Sequence, residues 1–126
     1  MNDSITKGDQ ARTEIMEAAQ RLFLSQGYNG TSMRAIAREA GDRAVAGLYN
    51  HFPNKEAIFK ALIEEGNPYE EVFVIMEQAL NQVDNAPDFL QAVMRTVMEE
   101  LPRYFDFVQL IQIDMREFSG ANVGNI

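Results

Sequence analysis

The chain has no cysteine and no tryptophan, and only one histidine and four prolines among its 126 residues. Without cysteine there is neither a disulfide framework nor a thiolate metal site. The lone histidine, His51, would need carboxylates alone to complete a metal shell, so no metal and no cofactor are expected. Long apolar runs are also missing. Neither the opening MNDSITKGDQARTEIMEAAQ nor any later window reaches the length of a signal peptide or a membrane span, which points to a soluble cytoplasmic protein with no membrane role. No alternating apolar and polar run suggests a sheet. There is no phosphate-cradling glycine loop, nucleophile elbow or zinc-protease motif, so the chain does not read as an enzyme.

Positive charge is scarce and unevenly spread. The formal net charge is -8, which argues against a polyanionic partner until the chain is divided. Residues 1 to 62 carry eight cations against seven acids, a balance of +1; residues 63 to 126 carry only Arg95, Arg103 and Arg116 against twelve acids, a balance of -9. Only the first half could approach DNA without strong repulsion. The neighbouring acids Glu64-Glu65, Glu70-Glu71 and Glu99-Glu100 point about 100° apart on a helix and read as a solvated face, not as acid/base couples.

What is present is helical periodicity. From Ala11 to Ser25, apolar Ile15, Ala18, Ala19, Leu22 and Phe23 recur every three or four residues, and Gly27 suits a left-handed cap. Thr31 is expected to cap a second helix of about ten residues that carries Met33, Ile36, Ala37 and Ala40 and stops at Gly41. A third short segment, Arg43 to Phe52, passes from small residues to bulky Leu48, Tyr49 and Phe52, with Asp42 as its expected N-cap. Asn54 caps a fourth helix with Ala57, Ile58, Ala61 and Leu62 on one side, which can continue after a bend at Gly66-Asn67-Pro68 through Val72, Phe73, Ile75, Met76, Ala79, Leu80 and Val83. After Asn85-Ala86-Pro87-Asp88 a further apolar helix runs to Leu101, and Pro102 restarts or kinks the chain into a last helix, Tyr104 to Phe118. The tail SGANVGNI reads as loop. The fold class is therefore all-α.

Helix, glycine turn, short helix, tight turn and short helix is the plan of a helix-turn-helix reader, whose second short helix must be slim to enter a major groove about 12 Å wide. The pattern Ala18-Ala19-x-x-Leu22-Phe23, Gly27-Tyr28, Thr31-Ser32-Met33-x-x-Ile36-Ala37-x-x-Ala40-Gly41 and Leu48-Tyr49-x-His51-Phe52-x-x-Lys55-Glu56 resembles the N-terminal DNA-binding domain of the tetracycline-repressor (TetR) family. The likeness spans roughly residues 11 to 62. It divides the chain into an N-terminal arm (1–10, expected to be flexible), a three-helix helix-turn-helix domain (11–62) and part of a helical effector-binding and dimerisation domain (63–126).

The resemblance implies a DNA-binding transcriptional regulator, a repressor released from operator DNA by a small-molecule effector and working as a two-fold homodimer. It assigns phosphate contacts to Thr31, Ser32 and Arg34, base edges to Arg43, Ala44, Val45, Ala46 and Gly47, and backbone contacts to Tyr49, Asn50, His51 and Lys55; Leu48 and Phe52 point inward on Phe23, Ile36 and Ile58. Met94, Met98, Phe105 and Met115 are read first as core of the second layer and then as lining for an effector pocket. In the family the stretch between Gly41 and Leu48-Tyr49 is one residue shorter, which puts the register of the base-reading side chains in question, and further helices are expected past residue 126. The competing reading is an acidic helical interaction module that binds a protein and no DNA.

Overall fold

The computed structural model describes residues 6–82 and 84–125, so Val83 and the first half of the expected arm lie outside the described residues. Among the described residues six α-helices follow one another: α1 Lys7–Gln26, α2 Met33–Glu39, α3 Val45–Tyr49, α4 Lys55–Glu65, α5 Tyr69–Gln82 and α6 Ala86–Phe118, with a short 3-10 turn at Val123–Asn125. No strand occurs among the described residues.

Helix α1 starts earlier than its apolar stripe. Thr6 accepts from Asp9 N–H through its hydroxyl (3.0 Å) while the Asp9 carboxylate accepts from Thr6 N–H (3.4 Å), a reciprocal cap that makes helix of residues 7–10, where an arm was expected. At the other end Gly27 takes φ +82°, as its cap position requires. Ile15, Ala18, Ala19, Leu22 and Phe23 are buried in one cluster with Ile36, Ala37, Leu48, Phe52, Ile58, Phe59 and Leu62. Leu48 and Phe52 thus do hold α3 inward. Asn54 caps α4 through a 2.7 Å bond from Ala57 N–H, and Gly66 ends it, so α4 and α5 are separate helices.

Helix α6 is one unbroken element of 33 residues that passes through Pro102 without restarting, although proline there leaves one carbonyl of the preceding turn without its helical donor. Its two halves have different partners. The first lies along α5 in a two-helix layer; the second packs on α1 and α4, burying Phe107, Leu110 and Ile113. The tail is not loose loop: Asp114, fully buried, accepts from Asn122 Nδ2 (2.8 Å) and N–H (3.3 Å) and from Val123 N–H (3.0 Å), folding residues 119–125 back on α6.

The apolar side chains expected as second-layer core are the largest departure. Met94, Met98, Phe105 and Met115 are 56%, 65%, 59% and 60% exposed, so they form neither core nor an enclosed pocket, whereas Phe107 on the same helix is buried. A helix with an apolar stripe on each side needs a neighbour on each side. Here α5 covers one stripe of α6, and the other, with Leu90 and Val97 as well, stays open.

Candidate nucleic-acid interface

Helices α1, α2 and α3 set the candidate reading surface. Ser32, not Thr31, caps α2: its hydroxyl accepts from Ala35 N–H at 3.0 Å. Thr31 is 2% exposed and donates its hydroxyl to the Gly27 carbonyl at 2.9 Å, so it closes the α1–α2 turn and is not placed to meet a phosphate. Two adjacent hydroxyls compete for one cap, and the buried one has the internal acceptor. Arg34 and Arg38 lie one turn apart on the exposed side of α2, opposite buried Ile36.

The stretch between α2 and α3 takes up its extra residue by turning left-handed twice. Gly41 (φ +92°) and Asp42 (φ +55°) occupy that region in succession, and Arg43 N–H reaches back to the Ala37 carbonyl at 2.9 Å. Asp42 is therefore a turn residue; the N-cap of α3 is Ala44, which makes no side-chain cap bond. The third helix has five residues, shorter than the expected Arg43 to Phe52. Ala44 and Ala46 are exposed at its leading end, Gly47 is half-exposed, and Val45 leans on the core. At its last residue and just beyond, Tyr49 (52% exposed) and Asn50 face solvent and His51 is half-buried.

Two predicted contacts are turned inward. Arg43 is half-buried with its guanidinium on Glu14 of α1 at 2.6 Å, which removes it from the base-facing set. Lys55 folds over the α1–α2 turn: Nζ donates to the carbonyls of Tyr28 (2.8 Å) and Thr31 (3.0 Å) and stands 4.0 Å from the centre of the Tyr28 ring. Burial lowers the Lys55 pKa, against the opposing pull of Glu117. Tyr28 shifts up, mainly through burial and then through Glu56 and Glu117. Of the expected contacts, Ser32, Arg34, Ala44, Ala46, Tyr49 and Asn50 are exposed. Arg38, whose expected role is that of a solvated charge, is exposed and outside any ion pair among the described residues.

No cluster of three or more potential metal ligands occurs among the described residues. No helix among them is long and apolar enough to cross a membrane.

Comparison with known proteins points one way. Residues 15–62 match the family model for bacterial regulatory proteins of the tetR family. The HTH-type transcriptional repressor AcnR of Corynebacterium glutamicum is 32% identical over 104 residues, covering 80% of this chain and 49% of AcnR. The HTH-type transcriptional regulator UidR of Escherichia coli K12 is 35% identical over 63 residues, which is 50% of this chain and 32% of UidR. A solved structure from Mesorhizobium loti, assigned to the same family, superposes with a TM-score of 0.65 at 26% identity and covers 90% of this chain and 57% of its own. The chain spans about half the length of the AcnR relatives that it matches. These relatives are transcriptional regulators, a non-enzymatic role.

Proposed function

We propose that the chain, as a TetR-family regulator, binds duplex DNA through α2 and α3 and regulates transcription as a repressor. The observation that carries this reading is the slim leading end of α3, where Ala44 and Ala46 are exposed while Val45 packs on the core, with Arg34 and Tyr49 exposed as well. Small side chains let a helix end enter the major groove, while the flanking arginine and the tyrosine and asparagine hydroxyl and amide groups reach sugar and phosphate. Thr31, Arg43 and Lys55 leave the contact list because their polar groups are engaged within the fold.

Two chains related by a two-fold axis would set their α3 helices one duplex turn apart, about 34 Å. A small molecule bound in the α5–α6 half would then release DNA by favouring a state with a different spacing, and the coupling would be reciprocal. The protein acts without enzymatic chemistry and in the cytoplasm. AcnR, a named repressor, supports repression over activation.

A gel shift with duplex from the chain's own upstream region, in low and moderate salt and against a scrambled duplex, tests the reading. Preferential retardation of the upstream duplex is expected; no shift at the lowest salt would remove it. The second reading, an acidic module that docks a protein, draws on the open apolar side of α5 and α6, where Phe73, Leu90 and Met98 are each more than 60% exposed. It leaves the exposed alanines of α3 without a role.

A further inference from the structure

The α1–α2 turn, residues 27 to 31, is fastened from two directions. From α4, Lys55 reaches across it to the Tyr28 and Thr31 carbonyls and covers the Tyr28 ring. From the last turn of α6, Glu117 Oε2 accepts from Asn29 Nδ2 at 2.9 Å, and the Phe118 ring stands edge-on to Tyr28 with centroids 5.0 Å apart. Tyr28 also meets Phe23 (5.3 Å) and Phe59 (5.7 Å). Every one of these contacts lands just before Ser32, the residue that caps α2.

A lysine at the start of a helix and meant for phosphate would project its ammonium toward solvent. This one directs two of its three N–H donors to main-chain oxygens and loses hydration in doing so. We propose that Lys55 is a positioning residue for DNA binding: it pins the α1–α2 turn, together with the end of α6, so that Ser32 and Arg34 are presented to the duplex in fixed register. The proposal rests on the DNA-binding reading above. It also gives the second half of the chain a direct hold on the start of the helix-turn-helix, through Glu117 and through Phe118, which stacks on Phe59 of α4 as well.

Lys55→Met keeps the aliphatic stem and removes the ammonium. In the free protein, amide exchange at Thr31 and Ala35, whose N–H groups are bonded within the turn and the α2 cap, should quicken by about tenfold or more, the scale of a lost charge-assisted hydrogen bond. Duplex affinity should fall while the slope of log affinity against log salt keeps its wild-type value, because no phosphate ligand is lost. Unchanged exchange with a slope shallower by about 0.9 makes Lys55 a phosphate contact and overturns the proposal. Unchanged exchange with an unchanged slope overturns it as well. Should Lys55→Met fail to fold, Lys55→Gln, neutral and too short to reach both carbonyls, should quicken the same two amides; unaltered exchange there would equally defeat the idea. A wild-type chain that binds no duplex sinks the DNA reading, whereas the exchange result still reports on the anchor.

Discussion

Salt dependence offers the most direct measure of how this domain would meet DNA. Residues 1 to 62 carry eight cationic side chains. Four are engaged inside the fold: Arg12 on Glu65 at 2.6 Å, Arg21 on Glu39 at 3.0 Å, Arg43 on Glu14 at 2.6 Å, and Lys55 on two carbonyls. Lys7, Arg34, Arg38 and Lys60 remain exposed and outside any ion pair among the described residues. Each neutralised phosphate contributes about -0.9 to the slope of log affinity against log salt, so the ceiling is about -3.6 per bound chain, against about -7.2 if all eight took part. Between 50 and 200 mM salt the first figure means a loss of about 150-fold and the second about 20 000-fold. Fluorescence anisotropy with a labelled duplex over that range, with stoichiometry fixed by titration, separates the two. Arg34→Ala should make the slope shallower by about 0.9. A wild-type slope steeper than about -4 per chain would show that the ion pairs open on DNA, and an unaltered slope in Arg34→Ala would take that residue off the phosphate.

Three further outcomes follow from local geometry. Asn54→Ala removes the α4 cap and should cost about 1 kcal/mol, seen as a fall in Tm of roughly 3–6 °C by circular dichroism. Asp114→Ala strips the tail of its buried acceptor and should cost about 1–3 kcal/mol in urea titration, with fast amide exchange at Asn122 and Val123; protected amides there would refute the fastening. The hydrogen bond from Arg12 holds the Glu65 carboxyl below its ordinary value of 4.5. A depressed carboxyl stabilises the fold above that value and the contribution is lost as the pH falls through the lowered one, so the wild type should lose more stability in acid than Arg12→Gln. Both side chains are more than a third exposed, which keeps the effect small.

Much of the architecture is written in local pattern. The three- and four-residue spacing of Ile15, Ala18, Leu22 and Phe23 places α1, the asparagines at 54 and 85 mark helix starts, and Gly27 and Gly41 take the left-handed conformations that end α1 and α2. The misplaced features depend on partners far along the chain. Lys55 finds its carbonyls 24 and 27 residues back, and Arg43 its glutamate 29 residues back. Spacing rules that work within one turn of helix carry no information on such pairs. Asp114 looked like one more acid in an acidic half; its burial follows from a tail that folds back eight and nine residues later. The methionines of α6 were legible as apolar but not as covered, because periodicity reports a stripe and says nothing of what lies against it.

The charge division acquires a physical sense from the length of α6. Its last turn docks on the α1–α2 turn through Glu117 and Phe118, close to α2, whereas Glu99 and Glu100 lie about 18 residues earlier, about 27 Å along the helix axis. The Debye length is about 10 Å at 0.1 M salt, so acids that far from the docked end barely act on a phosphate beside Arg34. Within the first half, Glu14 and Glu39 are neutralised by Arg43 and Arg21. The inward turn of Arg43 thus pairs one cation and one acid of the first half with each other. The net charge of -8 is thus an average over acids that differ in place and pairing, with Glu99 and Glu100 far along α6 and Glu14 and Glu39 paired with arginines.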